Sequence, residues 1–339
     1  METILLLTGV PGWLSNAIIK TFFLDQAGLS YTKIRCMVAP WEKKPDSLIS
    51  DKLEFVQADL TNPNTLEAAL SGCDSIIHTA GIIHVKKIRQ WYDINLVATN
   101  HLLIAAKNTA VKRFVYISSN AAAGRSTSDS LMTESETANP LNHYGKSKFL
   151  AEQAVLSYQK FMHVSVLRPC MFYGPPVPAR HLDFFRRVQH GVVPIIGKGN
   201  YPRSMVHIDN VVQACWLALE NPKAHGETFF IADESAYTIS AFVDIIAECL
   251  GASPRLLTLP AWVANIAYAV DTILNKFGFY QQEIHLLGEA NWSVGLSIEK
   301  AKALLGYRPQ TNLKEGITQA IAWALAAGLL KNNSNHQAQ

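Results

Sequence analysis

The stretch that most restricts the fold lies near the start of the chain. Ile4-Leu5-Leu6-Leu7 runs directly into Thr8-Gly9-Val10-Pro11-Gly12-Trp13-Leu14-Ser15, and a helical apolar pattern through Ala17, Ile18, Ile19 and Phe22 follows. A buried strand, a glycine-rich turn and a helix, in that order, are what a dinucleotide site requires. Gly9 permits the tight turn and Gly12 lets backbone approach a pyrophosphate, while the free amides of the helix start supply positive potential. Ser15 stands where a third glycine would ease helix packing, and serine is small enough to serve. A plain glycine-containing βα loop is the alternative for this segment taken alone. The same Ile4–Leu7 run reads as a buried first strand and not as a signal peptide.

The pattern repeats. Ile34 to Ala39 reads as a second strand, ending at Ala39-Pro40-Trp41-Glu42-Lys43-Lys44. The acidic residue that binds an adenosine ribose is absent from the strand end itself, and Lys43 or Lys44 can either contact a 2′-phosphate or simply be solvated. Leu53 to Leu60 is a third strand, with Asp59 placed to accept from an adenine amine. Ser75 to Gly81 is a fourth, closing in the small residues Thr79, Ala80 and Gly81, as close backbone approach needs. One long helix is expected through Asn95, Thr99, Leu102, Leu103 and Ala106, then a fifth strand, Phe114 to Ile117, ending in Ser118-Ser119. Strand and helix alternating to about residue 160 imply a doubly wound parallel sheet with its site at the strands' carboxyl ends.

After Asn139-Pro140, the run His143-Tyr144-Gly145-Lys146-Ser147-Lys148 opens an amphipathic helix through Phe149, Leu150, Ala154, Val155 and Tyr158. Tyr144 and Lys148 stand four positions apart, so one helical turn places phenol and ammonium on the same face. A free tyrosine titrates near pH ~10, and an adjacent cation stabilises its phenolate, which brings proton transfer with a substrate hydroxyl within reach.

Together these segments resemble the extended short-chain dehydrogenases/reductases, the group of nucleotide-sugar epimerases and 3β-hydroxysteroid dehydrogenases. The matching motifs span nearly the whole chain: Thr8-Gly9-x-x-Gly12, Asp59-Leu60, His78-Thr79-Ala80-Gly81, Asn95 with Thr99, Ser118-Ser119, Tyr144-x-x-x-Lys148, Arg168-Pro169-x-x-x-Tyr173-Gly174-Pro175 and Val206-His207-Ile208-Asp209-Asn210. The resemblance implies NAD or NADP as cofactor. Thr8, Gly9, Gly12, Trp13, Leu14, Asp59, Leu60, Thr79, Ala80, Gly81, Asn95, Tyr144, Lys148 and Pro169 would border it. It further implies that Tyr144 exchanges the proton, that Lys148 binds the nicotinamide ribose and lowers the tyrosine pKa, and that Ser119 hydrogen-bonds the reacting oxygen. Asn95 is read as structural. The expected fold is α/β: a doubly wound parallel Rossmann sheet over residues 1–170, a smaller mixed substrate-binding cap over 171–330 with segments returning to the sheet, and a disordered tail at 331–339.

In the resembling family, members that dehydrate or decarboxylate nucleotide sugars carry acids just after the catalytic serine or threonine. Asn120 and Ala121 occupy those positions here, which disfavours that chemistry. Arg203 matches the first of two phosphate-binding arginines and is read as exposed at the cleft edge, whereas Glu289 to Gly295 supplies no second one. A nucleotide sugar and an apolar secondary alcohol of 3β-hydroxysteroid type therefore both stand as substrates, with a redox-inactive dinucleotide-binding regulator as a third reading. Ala261 to Phe277 is apolar but interrupted by Asn265, Asp271 and Asn275. It is read as core or a hydrophobic substrate wall rather than a membrane span, with peripheral membrane contact left open.

Composition excludes little but excludes it firmly. Across 339 residues the net charge is only +3 and no basic run exceeds two residues, so nucleic acid is not an expected partner. Five widely spaced cysteines without a Cys-x-x-Cys pair read as reduced thiols of a cytoplasmic protein, and no metal site is expected. The expected partner is a small-molecule substrate, and a homodimer is left open.

Overall fold

The computed structural model of the protein describes residues 2–24, 30–44, 50–125 and 130–331. Its strands are β1 (Ile4–Val10), β2 (Lys33–Val38), β3 (Leu53–Gln57), β4 (Ser75–His78), β5 (Arg113–Ile117), β6 (His163–Pro169), β7 (Met171–Tyr173), β8 (Val192–Ile196), β9 (Pro202–His207), β10 (Glu227–Ile231), β11 (Ala236–Thr238) and β12 (Arg255–Leu259). The helices are α1 (Trp13–Leu24), α2 (Leu66–Leu70), α3 (Arg89–Trp91), α4 (Ala98–Asn108), α5 (His143–Ser157), α6 (Ala179–Gln189), α7 (Ile208–Glu220), α8 (Ile239–Leu250), α9 (Ala261–Lys276), α10 (Gln282–Gly288), α11 (Glu299–Leu305) and α12 (Leu313–Ala326).

Seven strands form one parallel sheet in the order β10-β6-β5-β4-β1-β2-β3. Leu5, Leu6 and Leu7 are all fully buried, because helices cover both faces of the sheet. That is why the strands read as continuous apolar runs and not as alternating ones. One face is packed by α1, α7 and α11, through Ile18, Ile19, Cys215 and Ala301. The other is packed by α2, α4 and α5, through Leu66, Leu102, Leu103 and Val155. Strand order reverses between β1 and β4, which opens a crevice at their carboxyl ends.

The chain beyond β6 does two jobs. Helix α7 and strand β10 return to the sheet, while α6, α8, α12 and β8 build a second core from Phe185, Val193, Ile246 and Ile321. Small sheets, β11-β9-β7 and β12-β8, complete that part. Among the described residues no helix is long and apolar enough to cross a membrane. Of the expected disordered tail, residues 332–339 lie outside the described residues.

Two expectations need correction. The single long helix through Asn95 and Ala106 is interrupted: α3 passes into a π-helical stretch, Tyr92–Val97, before α4. The wider turn swings Asn95 inward, where it donates to Ile82 O (3.1 Å) and Ser147 Oγ (3.1 Å) and accepts from Ile82 N (2.9 Å). It pins the post-β4 loop to α5. The Ala261–Phe277 segment, in turn, is neither core nor substrate wall. Only Ala264, Ala267 and Asp271 of α9 are buried, and no residue of α9 lines the crevice.

Candidate active site

The crevice has a volume of about 730 Å³, at the large end of what small-molecule sites occupy. Its floor is the turn between β1 and α1. Gly9 has φ +78, and a Cβ there would lie 2.6 Å from Thr79 Oγ1 and 2.8 Å from Ala80 N, so only glycine fits. A Cβ on Gly12 would lie 2.6 Å from Gly9 O. Gly12 is therefore required by the turn itself as well as by a ligand above it. Ser15, at the place of the third glycine, donates to Gly9 O (2.9 Å) and Gly12 O (2.9 Å), closing the turn that a glycine would only have accommodated.

Residues of the β4 motif hold this floor from the side. Thr79 Oγ1 donates to Thr8 O (2.6 Å), and Ala80 N donates to Thr8 Oγ1 (3.2 Å). Buried His78 bridges Thr8 Oγ1 (2.7 Å) and Thr99 Oγ1 (3.0 Å); burial, helped by the Lys148 cation, pushes its pKa down to about 3, so it acts as a neutral strut. Asp59 and Leu60 line the crevice at the end of β3, although Asp59 Oδ1 already accepts from Thr61 N (2.8 Å) and Thr61 Oγ1 (2.8 Å). At the end of β2 the lining residues are Ala39, Trp41 and Glu42; Lys43 and Lys44 do not face the crevice.

Ser119, Tyr144 and Lys148 line the same crevice. Asn142 caps α5 by accepting from Gly145 N (2.7 Å). Gly145 brings α5 against the 3₁₀ turn Asn120–Ala122 that follows Ser119: a Cβ at 145 would lie 2.2 Å from Ala121 O. Ser119 Oγ accepts from Ala121 N (3.2 Å) and stands near enough to the Tyr144 hydroxyl to favour its phenolate. Lys148 Nζ donates to Ile117 O (2.7 Å) and lies 4.3 Å from the Tyr116 ring centroid; burial pulls its pKa down to about 7 against the pull of Glu152.

The expected lowering of the tyrosine pKa by Lys148 is not what the structure shows. Burial holds the Tyr144 phenol above its ordinary range, and the groups opposing it are Ser119 and Arg180. Lys148 turns toward Ile117 at the foot of the crevice. Arg180, at the start of α6, lines the crevice beside Tyr144 and Tyr280. No motif marked it; its signal was its place just beyond the proline-rich Tyr173–Pro178 segment.

Arg203 also lines the crevice, but it is not the exposed arginine expected. It donates to Glu289 O and is surrounded by protein, so burial lowers its pKa while the Glu289 carboxylate raises it. The segment without an arginine, Glu289 to Gly295, is thus its neighbour: Arg203 also bridges to Val294. Trp13 faces the cap, packing edge-on against Phe172 (6.1 Å) and His181 (6.0 Å). Leu14 is buried beneath the turn, and Pro169 lines the crevice at the end of β6.

Three features escaped sequence reading. Glu152 and Arg168 form a buried pair (2.7 Å), and Glu152 also accepts from Ser118 Oγ (2.5 Å). His285 bridges Asp271 (2.8 Å) and Glu289 (3.2 Å), while Glu289 also accepts from the cap residue Asn142 (3.1 Å). Trp91 packs between Tyr144 (6.1 Å) and Tyr280 (4.8 Å). Among the described residues no cluster of His, Cys, Asp or Glu is arranged to hold a metal.

The cradle fits a dinucleotide. Gly9 and Gly12 leave the backbone of the turn bare at two positions, and the first amides of α1 are not taken up by the turn.

Comparisons agree with this geometry. An uncharacterized protein of Sinorhizobium fredii is 34% identical over 96% of each chain. UDP-glucose 4-epimerase of Vibrio cholerae is 26% identical over 94% of each. The solved structure of MoeE5 in complex with UDP-glucuronic acid and NAD shares the fold, with a TM-score of 0.75 at 23% identity over 95% of this chain and 99% of that one. The model of the NAD dependent epimerase/dehydratase family matches residues 5–232. This bears out the resemblance to extended short-chain dehydrogenases/reductases, and the chain belongs to the NAD dependent epimerase/dehydratase family.

Proposed function

We propose that this protein is an NAD-dependent epimerase or oxidoreductase acting on a secondary alcohol or ketone, with a nucleotide sugar as the favoured substrate. The observation that carries the reading is that Ser119, Tyr144 and Lys148 line the same crevice as the Gly9–Gly12 turn. A bound nicotinamide supplies the acceptor and donor of hydride. The chain's own residues manage the proton and the oxygen. Tyr144 Oη exchanges the proton, Ser119 Oγ orients the substrate oxygen, and Arg180 favours the phenolate. Lys148 donates one N–H to Ile117 O and would hold the nicotinamide ribose through its remaining N–H donors. Glu42 in the crevice, with Lys43 and Lys44 outside it, favours a free ribose 2′-hydroxyl and hence NAD over NADP.

The turn after Ser119 carries Asn120 and Ala121, with no carboxylate to drive elimination, so epimerisation or simple oxidation is favoured over dehydration. Arg180 and Arg203 give the substrate end two guanidiniums, which suits a diphosphate. The apolar wall of Trp13, Ile82, Met171 and Phe172 supports the second reading, an apolar alcohol of 3β-hydroxysteroid type.

Binding and turnover of UDP- and dTDP-sugars with NAD decide between them. For a nucleotide sugar, Arg203→Ala and Arg180→Ala should each raise KM by about ten-fold to a hundred-fold, the worth of one or two charge-assisted hydrogen bonds. No detectable affinity for any nucleotide sugar in the wild type removes that substrate class and leaves the apolar alcohol.

A further inference from the structure

Helix α9 is amphipathic the wrong way round for a helix packed on a globular protein. Its buried face is Ala264, Ala267 and the carboxylate of Asp271. Its outward stripe carries Trp262 (60% exposed), Ile266 (55%), Val270 (38%), Ile273 (55%) and Phe277 (74%). Their spacing of i, i+4, i+8, i+11 and i+15 puts them on one side of the helix, and Phe279 (61%) extends the stripe past the helix end. Scattered exposed apolar residues need no explanation, but a contiguous aromatic and aliphatic stripe does.

The charges around the stripe have one dominant sign. Phe279 bridges to Lys87, and the exposed Lys86 and Lys87 flank it there, with Lys276 at the end of α9. Nearby Arg89 is engaged by Asp93 (3.4 Å), and the single exposed acid on α10 is Glu283. The only acid of α9, Asp271, faces inward onto His285. A second copy placed on this face by a two-fold axis would oppose cations to cations. An anionic bilayer surface complements both the apolar stripe and the lysines. Leu286 (54% exposed), on the helix α10 that packs against α9, and Ile83 (51%) add exposed apolar surface at the lining of the crevice.

We propose that the α9 face, together with Phe279, Lys86 and Lys87, docks the protein onto anionic lipid bilayers, with α9 lying in the interface plane and the crevice mouth at the membrane surface. The helix does not span: its 16 residues carry a buried acid and polar flanks. Docking is separate from the chemistry, and its test needs no turnover.

Flotation of the full chain with phosphatidylglycerol-containing vesicles and with pure phosphatidylcholine vesicles, at low and high salt, tests it. Wild type should float with the anionic vesicles, bind phosphatidylcholine weakly and be partly released by salt. Ile266→Glu with Ile273→Glu should lower the partition coefficient by about ten-fold or more. Lys86→Glu with Lys87→Glu should lower it by about twenty-five-fold or more, at about five-fold per lost cation. Ile266→Ser with Ile273→Ser is the milder pair and should act in the same direction. Unchanged circular dichroism and NAD affinity show that the variants fold. Failure of wild type to float with anionic vesicles, or folded variants that float as well as wild type, overturns the proposal. A dimer in sedimentation velocity that the Ile266 and Ile273 changes dissociate, without vesicle binding, overturns it in favour of a second copy.

Discussion

His285 offers a test whose size and sign both follow from the structure. Burial alone would push its pKa down, but hydrogen bonds and charge from Asp271 and Glu289 win, raising it from 6.5 to about 9. The ring is only 14% exposed and Asp271 only 4%, so solvent screening removes little of the effect. At about 1.4 kcal/mol per pH unit, the rise is equivalent to roughly 3 kcal/mol of folding free energy. The folded chain holds this proton more tightly than the unfolded chain. Its stabilisation is therefore complete below about pH 6.5 and is lost as pH rises through 9. Urea denaturation of wild type and His285→Gln at a series of pH values isolates the contribution, because other titrating groups cancel in the difference. The variant should be less stable near neutrality by up to about 3 kcal/mol, with the gap shrinking toward pH 9. Since Glu289 also accepts from Asn142, the cap of α5, turnover should decline over the same window. A stability gap of equal size at both ends of the range refutes the imidazolium bridge.

Three further outcomes are expected. Gly12→Val should abolish NAD binding in a folded protein, because any Cβ there meets Gly9 O at 2.6 Å; unchanged affinity by calorimetry overturns the turn assignment. Tyr144→Phe should lower turnover by about a hundred-fold to ten-thousand-fold with NAD affinity nearly intact, whereas Lys148→Met should impair both; a Tyr144→Phe enzyme that keeps most of its rate sinks the proton role. Gly145→Ala should push α5 about 1 Å from the Ser119 turn to relieve the 2.2 Å approach to Ala121 O, and should cost roughly a hundred-fold in kcat; wild-type kcat in a variant that folds normally shows that this approach does not set the geometry.

Much of the sheet was legible because its signals are local. Buried parallel strands announce themselves as apolar runs, and Gly9, Gly12 and the Tyr144–Lys148 spacing depend on neighbours within a turn or two. What sequence could not show is how distant segments meet. The π-helical turn at Tyr92–Val97 has no composition of its own; it exists because Asn95 must reach Ile82 and Ser147. Arg203 reads as exposed until the chain returns Glu289 and Val294 beside it. The apolar content of α9 was plain, but periodicity alone does not say which side of a helix faces water. Asp271, read as an interruption of an apolar segment, is the residue that turns inward and fixes the helix's orientation, because His285 waits for it there.

The Glu152–Arg168 pair shows how such distant meetings serve the site. Removing two charges from water is costly, and a buried ion pair often does no better for stability than apolar residues of similar size. Its geometry is what distinguishes it. Glu152 stands on α5 one turn beyond Lys148, Arg168 ends β6 next to Pro169, and Ser118 leads directly into Ser119. With Arg168 Nε and Nη2 both on the carboxylate (2.9 and 2.7 Å) and Ser118 Oγ completing it, three separate elements are fixed to one point. The unpaired alternative, a lone buried charge, is so unfavourable that the elements cannot slip past one another. A network of this kind holds Ser119 and the Tyr144 helix in register from behind, leaving the crevice face free for substrate.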